Sequence, residues 1–158
     1  MAKSCFVLIF ILMIVSNLFS QNKTLNPVAD RNVILKGVNE IPAVGVVGTL
    51  FLTKTAFPVM VNSNTEKFPV IAASLLGNGK VVAFAHDGFF AEAGVKSAQT
   101  CLLIQNAAQW SGNQTKPAVL LKDLKHLADY FRKQNFTVKH LEYNETISEQ
   151  HTKEAAVF

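Results

Sequence analysis

His86 and Asp87 stand side by side where the apolar run "VVAFA" ends, with Gly88 after them and Glu92 a few residues on. An imidazole beside a carboxylate can donate and accept a proton, or ligate a metal. Adjacent residues on a strand point to opposite faces, so the pair can share one site only if the chain turns there. Gly88 supplies such a turn, and Glu92 could then approach. His86, Asp87 and Glu92 are therefore the candidates for acid–base work. One histidine and two carboxylates lack the third well-spaced ligand of a zinc site, so no metal or cofactor is expected. The competing reading is structural: Asp87 caps a turn and His86 hydrogen-bonds a neighbouring loop.

Just upstream, Gly77-Asn78-Gly79-Lys80 has the glycine content of a phosphate loop. It fits neither nucleotide template, because a third glycine at dinucleotide spacing and a Lys-Ser/Thr pair opening a helix are both missing. A strand follows Lys80, so a phosphate would have no helix N-terminus to sit on. The spacing predicts a hairpin with Asn78-Gly79 as a two-residue primed turn. No Gly-x-Ser-x-Gly or Gly-x-Cys-x-Gly elbow and no His-Glu-x-x-His helix occurs. His126, His140 and His151 stand singly on polar segments and read as solvated.

The chain opens with Lys3, an unbroken apolar run from Phe6 to Val15 and a cleavage region from Ser16 to Ser20. That is the layout of a secretory leader over residues 1–20, too short to span a bilayer comfortably. Secretion and an extracellular location are the expectation, with no membrane span once the leader is removed. Four Asn-x-Thr sequons agree with it: Asn22, Asn113, Asn135 and Asn144, all placed between elements where a glycan can be accommodated. Cys5 lies in the leader, which leaves Cys101 as the one cysteine of the remaining chain, read as a small buried apolar residue. Loss of Lys3 with the leader leaves fourteen basic against eleven acidic residues. The positive charges are scattered, with no basic stripe interleaved with aromatics, so nucleic acid is not an expected partner.

The elements that must position these residues divide at about residue 91. Residues 21–32 read as an irregular N-terminal segment. "VILKGV", "AVGVVGTLFL", "FPVMV", "FPVIAASLL" and "KVVAFAH" read as strands or strand-like runs. A helix with a broad apolar face is expected from Ala91 to Trp110. "PAVLL" reads as a short buried strand. Leu120, Leu124, Leu127 and Phe131 mark an amphipathic helix ending near Asn135, and "FTVKHLEY" a last strand. Hairpins in the first half and strand–helix–strand in the second give one α/β domain over residues 33–143, with helices layered on a sheet. The strand–helix–strand unit should be a right-handed crossover. Residues 144–158 are a polar tail or a truncated continuation with no evident partner.

Taken in order, "FPVMVNSN", "IAASLLGNGKVVAFAHDGFF" and "CLLIQNAAQW" resemble the N-terminal region of the TRP-channel-associated factor family. The matching positions are Phe57, Pro58, Val59, Gly77, Gly79, Lys80, His86, Asp87, Gly88, Phe89, Asn106, Ala107 and Trp110. "PAVLLKDLKHLADYFRKQNFTVKHLEYNET" is similar to the stretch that follows, so the resemblance covers about Phe57 to Thr146. It implies a fold like part of a class I glutamine amidotransferase without that class's cysteine elbow, in a region that precedes an enhancin-like metallopeptidase in the family. Vertebrate members are intracellular and regulate an ion channel. Two departures stand out: the leader, and an end before the metallopeptidase region. A fragment, a truncated product and a reduced homologue are the readings left open. Two function classes follow. One is a secreted, non-catalytic binding or accessory module for an unknown protein or glycan partner. The other is a hydrolase-type domain, or a piece of a secreted metallopeptidase, acting through the His86–Asp87 corner.

Overall fold

A computed structural model describes residues 25–53 and 55–157. The expected leader, Cys5 and Asn22 lie outside them. The fold is mixed α/β. Helix α1 (Pro27–Ile34) is followed by strands β1 (Phe57–Val61), β2 (Pro69–Leu76) and β3 (Gly79–Phe84). A 3-10 turn (Asp87–Phe89) leads into the short α2 (Glu92–Val95) and the central α3 (Ala98–Gly112). Strand β4 (Val119–Lys122), helix α4 (Lys125–Lys133), strand β5 (Val138–Leu141) and helix α5 (Glu149–Glu154) complete the order.

The strands make two sheets. β1–β2–β3 is an antiparallel meander, and β4–β5 is a parallel pair joined through α4. Helix α3 lies between two apolar clusters. Leu103, Ala107 and Trp110 join Ile34, Phe57, Val59 and Ile71 in one; Ile104 and Ala108 join Val119, Leu127, Phe131 and Phe136 in the other. Both contact Phe84. The broad apolar face of α3 is thus split between two cores rather than laid on one sheet.

Several expectations are corrected. Where an irregular start and then a strand were expected, residues 27–34 form α1. Asn26 accepts the Ala29 N–H at 3.1 Å as the N-cap, and Pro27 sits at the first helical position, where its missing N–H costs nothing. "AVGVVGTLFL" is not a strand. Gly45 turns it with φ +73°, Val46 and Phe51 are 91% and 96% exposed, and only isolated bonds tie it down: Gly48 N–H to Ala85 O at 3.3 Å and Leu50 N–H to Pro69 O at 2.9 Å. The helix expected over residues 91–110 is two helices, broken at Ser97, whose hydroxyl accepts the Thr100 N–H at 3.2 Å. Leu120 belongs to β4 rather than to the helix after it.

The turn between β2 and β3 is offset by one residue from the expected one. Leu76 pairs with Gly79, so the two loop residues are Gly77-Asn78. The positive φ, +58°, falls on Gly77 and not on Asn78. Positive φ at the first central residue alone is the II′ pattern, for which glycine is the natural choice. The tail is docked rather than unpartnered: Val157 bridges Val119 in parallel, and the Leu120 N–H donates to Val157 O at 2.9 Å.

Candidate functional site

The corner after β3 is built on aromatic packing. Phe84, the last residue of β3, meets Phe89 at 5.9 Å and Phe90 at 4.8 Å between ring centroids, and Phe89 is buried. These contacts fix the chain on both sides of His86. The imidazole then closes the turn: His86 is the N-cap of the 3-10 turn, and its Nδ1 accepts the Gly88 N–H at 2.8 Å. A nitrogen that accepts an amide proton carries none itself, so the ring proton belongs on Nε2. The far edge of the ring lies against Gly45, where a Cβ would stand 2.9 Å from Cε1 and Nε2. A Cβ on Gly88 would stand 2.7 Å from Nδ1. The histidine is thus gripped between two glycines that leave room for nothing larger.

Asp87 is fully exposed, with Oδ1 3.2 Å from the same Nδ1. That contact becomes an ion pair only when the imidazole is protonated at Nδ1, which would cost the bond from Gly88. The expected capping roles are therefore exchanged: His86 caps and Asp87 projects into solvent. Glu92 does not complete a triad with them. Its carboxylate pairs with Lys96 Nζ at 2.9 Å and faces His126 Nε2 at 3.6 Å. The hydrogen bond from Lys96, then the charges of Lys96 and His126, hold its pKa below the ordinary value, against a small opposing effect of burial. Among the described residues, no group of three His, Cys, Asp or Glu side chains is placed to hold a metal ion.

Of the other histidines, His126 is exposed as expected and faces Glu92; His151 is half-buried and closes a capping box with Ser148; and the His140 side chain is only 10% exposed rather than solvated, with Nε2 unpartnered among the described residues. Cys101 is buried as expected. Its thiol donates to Val95 O at 3.0 Å, and burial pushes its pKa up. The sequon residues Asn113, Asn135 and Asn144 are all exposed.

Two features were missed in the sequence. The first is a polar seam joining α1 to α3. The Trp110 indole N–H donates to Asp30 Oδ1 at 2.8 Å, and Asn106 Nδ2 donates to Ile34 O at 3.0 Å and Lys36 O at 2.9 Å. The carbonyls at the end of α1 thereby receive donors that the helix itself cannot supply. "NPVAD" carries the signal for α1, an Asn-Pro start with an acid in the first turn. The second is an apolar groove of about 530 Å³ between β3 and β4, floored by α3. Val82 and Phe84 stand on one wall, Val119 and Leu121 on the other, with Ile104 and Ala108 beneath. Among the described residues no helix is long and apolar enough to cross a membrane.

Set beside known proteins, residues 9–151 match the family described as "TRPM8, N-terminal domain". The match begins inside the apolar run Phe6–Val15. TRPM8 channel-associated factor 2 of Bos taurus is 36% identical over 87 residues, which is 53% of this chain and 9% of the bovine protein. The chain thus spans less than a tenth of the length of that relative. No solved structure matches the chain.

Proposed function

Since this chain belongs to the family of TRP-channel-associated factor N-terminal domains, we propose that it is a non-catalytic accessory module that works by binding another protein. One observation carries this reading. The most reactive-looking residue, His86, spends its Nδ1 on the Gly88 N–H and its ring edge on Gly45, a structural use, while Glu92 is turned to Lys96. The bovine relative is named for its association with a channel, and a channel of that kind is the first partner to try. We propose further that the chain is exported. The leader layout at the N-terminus supports this, and exposed Asn113, Asn135 and Asn144 are suitably placed to carry glycans. An exported module would meet a channel on its extracellular face. The fold is proposed to be a portion of a glutamine amidotransferase-like architecture.

The test is co-purification of the full-length chain with a TRPM8 channel from cells expressing both. Recovery of channel with the chain is the expected result. A channel that is recovered with the bovine factor but not with this folded chain would remove the proposal.

A further inference from the structure

We propose that His86 is an acid-sensitive latch: its neutral imidazole holds the loop Val44–Gly48 against the corner between β3 and α2, and its protonation lets that loop go. The inference goes beyond the partner-binding role and does not depend on it. Three contacts meet at the ring. Nδ1 accepts the Gly88 N–H at 2.8 Å. The Cε1–Nε2 edge faces Gly45 so closely that a Cβ there would stand 2.9 Å away. Asp87 Oδ1 lies 3.2 Å from Nδ1. The backbones on either side of the ring also meet. Gly48 N–H donates at 3.3 Å to the carbonyl of Ala85, the residue before His86, and a Cβ on Gly88 would stand 3.1 Å from Val44 O. The loop itself has neither helix nor strand to hold its shape. It presents Val46, 91% exposed, and leads to Phe51, 96% exposed, so its release changes how an apolar surface is displayed.

Nδ1 can serve only one of its two polar neighbours. As a bare lone pair it accepts from Gly88. With a proton it donates to Asp87, and the Gly88 N–H then faces another N–H and loses its acceptor. Turning the ring over restores nothing, because a protonated imidazole carries N–H on both nitrogens. The ion pair gained is weak, since the Asp87 carboxylate is fully exposed. The bond lost is the side-chain cap of the 3-10 turn. Among the described residues, Asp87 is the one carboxylate within ion-pairing distance of the ring. The loop side, Ala43 to Gly48, has no ionisable side chain. On α2, Glu92 is engaged by Lys96 at 2.9 Å and faces His126 at 3.6 Å. On β3, the charged residue is Lys80, at the far end of the strand and over the Trp110 ring. Histidine protonation is a recurring trigger of such two-state contacts.

The test is an NMR titration of the isotope-labelled full chain from about pH 8 to about pH 5, the range in which imidazoles change charge. At the upper end the ring nitrogens of His86 should report a proton on Nε2 and none on Nδ1. On acidification the Gly45, Gly48 and Gly88 amide shifts should move with one midpoint, shared with the His86 ring, and the protection factor of the Gly88 amide should fall about tenfold. His86→Asn offers an oxygen that accepts at every pH in the range, so it should hold those three amides still. His126→Gln removes the imidazole beside Glu92 and should leave their movement intact. A proton on Nδ1 at the upper end overturns the inference, and so do glycine amides that fail to follow the ring. The same movement in folded His86→Asn overturns it too. So does a transition that carries every amide of the domain together, because the latch confines the change to the corner and its loop. Should His86→Asn not fold, the wild-type midpoints decide alone.

Discussion

Trp110 and Asp30, eighty residues apart in the chain, are joined by an indole N–H that donates to Oδ1 at 2.8 Å. The same ring meets Phe57 edge-on at 6.4 Å and carries Lys80 Nζ 4.6 Å from its centroid. One side chain thus ties α1, β1, β3 and α3 together. Trp110→Ala should destabilise the fold by about 3–5 kcal/mol, a large share of a total of roughly 5–15. Asp30→Ala keeps the ring and leaves its N–H without this acceptor, a loss of about 1–3 kcal/mol. Denaturant melts of Asp30→Ala, Trp110→Phe and the double variant check this. Additive losses would show that the bond contributes nothing.

The β2–β3 turn gives a positional prediction. Gly77 has φ +58° and no atom within 4 Å of where a Cβ would be, so any penalty there is backbone strain alone. Gly77→Val should cost about 1–3 kcal/mol. Gly79 has no positive φ, and its Cβ would meet only Leu76 O at an ordinary 3.4 Å. Gly79→Val should therefore be much the milder change in a chemical melt, and the reverse order would restore the expected Asn78-Gly79 turn.

His86 makes its prediction through an acceptor rather than a proton. His86→Ala leaves the Gly88 N–H without its cap and should cost about 0.5–2 kcal/mol, as other cap losses do. His86→Asn keeps a side-chain oxygen in reach and should recover part of that loss. Equal loss in both variants would show that ring packing against Gly45, not the cap, is what the residue contributes.

Stability should also depend on pH through Glu92. Its folded pKa lies below its ordinary 4.5, with the hydrogen bond from Lys96 as the main cause. A depressed carboxylate contributes stability above its unfolded pKa, and that contribution disappears as pH falls through the lower, folded value. Glu92→Gln should therefore melt slightly below wild type at neutral pH, and the gap should close as the buffer is taken well below pH 4.5. A gap that persists in acid would assign the effect to something other than charge.

Export predicts glycans. Expression in secretory cells should give a product that loses mass on glycosidase treatment, with Asn113→Gln, Asn135→Gln and Asn144→Gln each removing one increment at most. A product of unmodified mass beginning at Met1 or Ala2 would contradict the exported form.

Local signals were read well where a segment's own pattern decided its structure. β1, β2, β3 and β5 follow β-forming runs, and the Leu127–Phe131 face of α4 follows its period. "AVGVVGTLFL" has the composition of a strand but, among the described residues, makes only isolated bonds to Pro69 and Ala85 rather than a ladder, and composition cannot report a missing neighbour. The His86–Asp87 pair was visible as residue types. Which of them caps, and that Glu92 turns to Lys96, depends on where Gly45 and α2 lie. The Asp30–Trp110 bond and the β3–β4 groove are contacts between distant segments, so no window of the sequence contains them.

The central claim is that this domain binds a partner protein and that its histidine corner is structural. Its most direct measurement is a titration of the immobilised channel, the proposed partner, with the purified full chain and with His86→Asn. Saturable binding with the two curves superimposed is the predicted result, since His86 closes a turn and need touch no partner. Folded wild-type chain that shows no saturable binding, on a surface that binds the bovine factor, would contradict it.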